Sequence, residues 1–285
     1  MQRQRVNKAA ILPLIAIAAA FAFAPTAAPA LPSNQCWELT QESCTIGKIE
    51  LYISERAVRW NSTRLGLTFI LRAPDWKLLG FNESTKKYME LTIDQMEQLV
   101  NQGKKPKALT KKIDKKLIKD ALTPLKDNNT KICGLKTIEL HMPKELASQQ
   151  HGGNGAAAAV PSLGTKIKHY DMKKWRQGDE DTWFASDIQL PAEVADFLLQ
   201  KMHSSGDTVP GATRHPLLRS VHIGFGGSPA MALDTTDCKK VAVTAKLFEL
   251  PKGYAKTDNE MALLMGVDDS DMDILGSSSP KKKSF

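Results

Sequence analysis

The sequence predicts an α+β protein built on an antiparallel sheet. Three observations lead there. Between Ile46 and Leu91, five short stretches at 49–53, 57–61, 67–72, 76–81 and 87–91 have the alternation and the β-branched and aromatic content of strands. The connections between them, such as Ser62-Thr63-Arg64, Ala73-Pro74-Asp75 and Asn82-Glu83-Ser84-Thr85, carry turn chemistry and are too short for parallel crossovers. Strand character returns after residue 130, and helical spacing of apolar residues is confined to the stretches between the strand groups.

Taken in order, the chain opens with Arg3, Arg5 and Lys8, an uncharged run from Ala9 to Ala24 and the small-residue triplet Ala28-Pro29-Ala30. That order predicts a secretory signal over residues 1–30 and a periplasmic or extracellular mature protein, with an uncleaved anchor as the alternative. After the meander, Thr92 caps a short helix with Ile93, Met96 and Val100 on one face. The next segment places Leu109, Ile113, Leu117 and Ala121 on a stripe flanked by lysines. Two readings fit it: a solvated helix covering the sheet, or an interfacial helix whose Lys111, Lys112, Lys115 and Lys116 touch an anionic membrane surface or an acidic envelope protein.

A strand is expected over 130–140, followed by a flexible Gly/Ala-rich insertion at 144–164 inside a single domain spanning 31–265. Strands at 166–172 and 181–186, joined near Gln177-Gly178-Asp179, should precede a helix opened by Pro191. The last strands are expected at 217–225 and 239–249, stopped by Pro251-Lys252-Gly253-Tyr254, with a charged, disordered tail over 266–285.

Four cysteines, Cys36, Cys44, Cys133 and Cys238, follow the leader, and export makes two disulfides the expected state. The favoured pairing is Cys36 with Cys44 and Cys133 with Cys238. Without a C-x-x-C pair, no metal or other cofactor is expected. The net charge of +8 is concentrated in the leader, in eight lysines against one aspartate between 104 and 119, and in Lys281–Lys283, so the remainder is mildly acidic. With no basic face and no aromatic-basic interleaving, nucleic-acid binding is not expected. Neither the six histidines nor Ser220 and Ser228 fall into a catalytic spacing, and Asp179, Glu180 and Asp181 are read as a solvated turn, so no enzyme is expected.

Several pieces together resemble a known group: Ala73-Pro74-Asp75-Trp76, Phe81-Asn82 ahead of Lys87-Tyr88, Ile132-Cys133-Gly134-Leu135-Lys136-Thr137, a Trp183-centred strand before a helix, and the closing Leu247-Phe248-Glu249-Leu250-Pro251-Lys252-Gly253-Tyr254. The pattern is similar to bacterial exported proteins of unknown function that share the fold of the periplasmic lipoprotein carrier and receptor proteins. The resemblance implies a strongly curved antiparallel sheet, an unclosed barrel, with helices covering its concave face and leaving an apolar cavity. It also implies a non-catalytic, monomeric binder of a lipid or lipoprotein acyl chain. Trp60, Phe69, Leu71, Trp76 and Trp183, on the apolar side of their strands, are the expected lining, although a stripe at strand spacing is core more often than cavity. The rival expectation is an envelope protein with a filled core that binds a protein partner.

Overall fold

The computed structural model describes residues 34–95, 130–143, 177–201, 214–223 and 229–266. A first run of strands comprises β1 (Gln35–Ser43), β2 (Gly47–Ile53), β3 (Ala57–Ser62), β4 (Leu67–Arg72), β5 (Lys77–Asn82) and β6 (Lys87–Leu91). A second comprises β7 (Lys131–Ile132), β8 (Leu135–Met142), β9 (Glu180–Ala185), β10 (Leu217–Ile223) and β11 (Pro229–Ala242), with a short β12 at Ala255–Lys256. All twelve belong to one unclosed sheet in the order β12-β6-β5-β4-β3-β2-β1-β11-β10-β9-β8-β7. Each run is a meander, and the antiparallel β1–β11 pair joins them. The sheet is mixed, because β12 lies parallel to β6. Among the described residues it is accompanied by the start of a helix at 93–95, by two short helices, α1 (Ala192–Lys201) and α2 (Glu260–Met265), and by a 3-10 turn at Ala245–Phe248.

The first meander has a regular metre. Strands β3 to β6 begin at residues 57, 67, 77 and 87, and the three turns between them are four residues long. Each of these turns ends on a residue in the left-handed region: Gly66, Trp76 and Lys86, at φ of 65°, 49° and 55°. Glycine adopts that conformation freely, whereas Trp76 and Lys86 each hold it at a cost of about 1–2 kcal/mol. Side chains close the turns. Asn82 Oδ1 accepts from Ser84 N at 2.8 Å, Ser54 Oγ accepts from Ala57 N at 2.9 Å, and Ser62 Oγ accepts from Leu65 N at 3.3 Å.

Cross-strand register sorts the side chains onto two faces. Leu39, Leu51, Trp60, Phe69, Gly80 and Met89 form one row across β1 to β6, and Ile53, Val58, Leu71, Leu78 and Leu91 form another on the same face. This inner face merges with Trp183, Phe184, Val221, Met231 and Leu233 of the second meander and with Val194, Phe197 and Leu198 of α1 into the main core. On the outer face Cys36, Ala57, Ile70 and Phe81 form a smaller core beneath the 3-10 turn, whose Phe248 is buried among them. Arg59 and Arg72 hold that strap by donating to the carbonyls of Leu247 and Phe248, and Tyr254 meets Phe81 edge-on at 5.2 Å. The closing Phe-Glu-Leu-Pro-Lys-Gly-Tyr segment is thus a cover for the back of the sheet.

Sequence-based expectations meet the structure unevenly. The five strands between Ile46 and Leu91 lie within two residues of their expected bounds, except that Trp76 ends a turn instead of opening a strand. Thr92 caps a helix start: its Oγ1 accepts from Gln95 N at 3.1 Å while Gln95 Oε1 accepts from Thr92 N at 2.8 Å. The single strand expected over 130–140 is a hairpin, because Cys133 and Gly134, at φ of 50° and 82°, form a two-residue turn. Neither β1 nor α2 was expected. The strand proposed at 166–172, the lysine-flanked segment and the Gly/Ala insertion lie outside the described residues, as does the leader.

Strand β1 also corrects the first disulfide pairing. Cys36 is near its start and Cys44 just beyond its end, so eight extended residues place them about 25 Å apart. A disulfide requires Cα atoms within about 7 Å. All four thiols are free in the structure, where a bonded state was expected for each.

Candidate functional site

The inner face at β4 to β6 carries a small apolar cavity. Its floor is Leu67, Phe69, Leu78, Gly80, Met89 and Leu91, and its wall is the Glu260, Leu263 and Leu264 side of α2; its volume is about 70 Å³. Gly80 is what gives the floor its shape. A Cβ there would come within 3.0 Å of Phe69 Cε1, so the Phe69 ring lies across the glycine, and on its other side it meets the Trp60 ring at 5.4 Å. Trp60, only 5% exposed, has no hydrogen-bond partner for its indole nitrogen among the described residues.

Helix α2 is held over this floor by polar contacts. Asn259 caps it, accepting from Met261 N and Ala262 N at 2.9 and 3.3 Å. At the other end Thr85 Oγ1 donates to Leu263 O at 2.9 Å and Asn82 Nδ2 to Leu264 O at 3.4 Å. Leu264, which borders the cavity, is partly exposed, as are Met261 and Met265 on the same helix and Leu65 on the β3–β4 turn.

The expected lining residues occupy different positions. Trp60, Leu71 and Trp183 are buried in the main core; Phe69 and Trp76 pack against it partly buried. Phe69 alone of the five borders the cavity. Gly80, Met89, Leu263 and Leu264 were missed, although an unbranched glycine opposite an aromatic residue in alternating strands is a signal that could have pointed to the first of them.

A second cluster overturns an expectation. Asp179, Glu180 and Asp181 are not a solvated turn: each is at most 4% exposed. Glu180 and Asp181 open β9, which is buried along its whole length, and their carboxyl groups meet polar partners across the sheet. His141, the register partner of Asp181, brings Nδ1 to 2.7 Å from Asp181 Oδ1, with Asp179 Oδ2 3.7 Å from Nε2. On the other face Ser220 Oγ donates to Glu180 Oε1 at 2.9 Å, and His222 Nδ1 lies 3.6 Å from Glu180 Oε2. Serine and histidine both address the carboxylate here, which differs from a relay in which histidine would take the serine proton. Glu139, near Asp181, has its carboxyl pushed up, first by burial and then by that neighbouring charge. Among the described residues no grouping of three or more such side chains could hold a metal ion.

On the outer face an open depression of about 300 Å³ is lined by Ile70, Leu79 and the cis Ala73-Pro74 turn, with Arg72, Lys77, Asp75 and Glu90 around them. Its charges are of both signs and favour no single ligand class. Lys111, Lys112, Lys115 and Lys116 lie outside the described residues.

No family model and no curated protein matches the chain. Among solved structures it is similar to an uncharacterised conserved protein from Thermus thermophilus, at 10% identity and a TM-score of 0.36, over 79% of this chain and 90% of that one.

Proposed function

We propose that the protein binds an amphiphile non-covalently, a lipid or lipoprotein acyl chain, with the end of the apolar tail entering between the sheet and α2. The observation that carries this reading is the apolar cavity over Gly80 and Phe69, walled by a helix whose Leu264 borders it and whose Met261 and Met265 are exposed to solvent. At about 70 Å³ the cavity has room for a few methylenes, whereas whole small-molecule sites run to about 300–1,000 Å³. The rest of the chain would lie along the exposed leucine and methionine side chains, each buried CH₂ contributing about 0.8 kcal/mol. Helices covering a concave face, and a site outside the inner membrane, belong to the same proposal.

Native mass spectrometry of the purified protein, followed by organic extraction, tests it. A bound acyl-bearing mass is expected, reduced at least about tenfold in occupancy in Leu264→Asp, a half-exposed position where the charge leaves the core intact. An unliganded mass that takes up no lipid on titration would instead favour a protein-binding envelope component.

A further inference from the structure

We infer that Cys133 and Cys238 are a reversible redox pair, a modification site that links the β7–β8 turn to β11 when an oxidised dithiol or glutathione disulfide is present. The inference is independent of amphiphile binding. Cys133 occupies the first position of a two-residue hairpin turn, where a positive φ ordinarily selects asparagine, aspartate or glycine. A strained cysteine at such a place calls for a reason other than turn formation.

Its position supplies one. Cys133 Sγ donates to the carbonyl of Thr235 on β11 at 3.1 Å, across 102 residues of sequence. Thr235 and Cys238 are three apart, which in a regular strand would turn their side chains to opposite faces. The β1–β11 register shifts between Thr40 and Gln41, so that Thr235 pairs with Gln41 and Cys238 with Leu39. Gln41 and Leu39 share a face, and the bulge therefore returns Cys238 to the side of Thr235, one alternation away from the carbonyl that Cys133 touches. Cys238 packs partly buried against the main core, and Cys133 is the exposed member.

The thiols' acidity agrees with this proximity. Cys238 is pushed up to about 12, first by burial, then by Cys133 and Asp237. Cys133 is raised by burial and by Asp234 and Asp237. Thiols that resist ionisation leave the reduced form without thiolate stabilisation, which favours the oxidised pair at equilibrium while slowing its formation. In the forward direction the Cys133 thiolate attacks glutathione disulfide and releases one glutathione thiolate. The Cys238 thiolate then attacks the Cys133 sulfur, releasing the second; two electrons pass to glutathione and two protons to solvent.

The test is to hold the full chain in a series of reduced-to-oxidised glutathione ratios, trap free thiols with an alkylating agent, and map peptides by mass spectrometry. The expected result is a loss of about two mass units, the two thiol hydrogens, and a single cross-linked peptide joining Cys133 to Cys238. Cys36 and Cys44 should be alkylated once the chain is unfolded, and Cys133→Ser should abolish the loss. Glutathione retained on Cys133 with Cys238 free, no cross-link at any ratio, or a loss that persists in Cys133→Ser would each overturn the inference.

Discussion

Gly80 shows how much one missing methyl group decides. The Phe69 ring comes within 3.0 Å of where a Cβ would stand, and the Trp60 ring lies 5.4 Å away from it. Gly80→Ala is therefore expected to destabilise the protein by about 1–3 kcal/mol, seen as a lower urea midpoint with an unchanged slope, and to narrow the cavity. An increase in stability would mean that the ring relocates freely. Alternation alone told which face Phe69 joins, because register follows the pleat. It did not reveal the cavity, since Leu263 and Leu264 reach Phe69 from almost two hundred residues away. The buried carboxylates were hidden for the same reason. Asp179-Glu180-Asp181 beside a glycine reads as a wet turn until His141, Ser220 and His222 are brought against it by strand pairing.

Among the elements, strands with both turn chemistry and apolar alternation were legible, and those lacking either were not. β1 places Gln41 and Ser43 at buried inner positions after Trp37 and Leu39, so its pattern breaks halfway. Gln41 is there for a purpose that periodicity cannot express: its amide donates to Leu217 O at 2.7 Å, and Thr235 Oγ1 donates to Leu218 O at 2.7 Å. These side chains satisfy carbonyls at the start of β10, before its ladder with β11 begins at Arg219. Helix α2 was missed because it has six residues and follows a proline-glycine turn. A helix so short depends on its cap and its docking. Asn259→Ala is expected to cost about 1 kcal/mol, concentrated locally: amide exchange in 260–265 should accelerate while that of β3 and β4 stays unchanged. Uniform acceleration throughout the sheet would show that α2 belongs to the global unfolding unit.

For the molecule as a whole, stability should depend on pH through Glu139. Its folded carboxyl holds a proton more tightly than the unfolded one, because burial and Asp181 disfavour its charge. The native state is thus relatively favoured below the unfolded pKa, and that advantage is lost as pH rises through the folded value. Glu139→Gln, which never ionises, should be more stable than the parent near neutrality, with the difference vanishing toward the ordinary carboxyl range around 4.5. Thermal midpoints of the two proteins across that interval decide it; a difference that grows in acid would reverse the assignment. The ten-residue metre of β3 to β6 bears on how such a sheet can change in length. Inner residues are even-numbered in β3 and β5 and odd-numbered in β4 and β6, so one inserted unit of ten would reverse every later strand and also carry its side chains to the opposite face. Twenty preserves both. Duplicating a whole hairpin, residues 67–86, would hand β12 and α2 an edge strand of unchanged orientation and face, whereas adding a single residue would turn the apolar row out to water. The meander can therefore grow or shrink across evolution by paired strands, and its width is a more plastic property than its register.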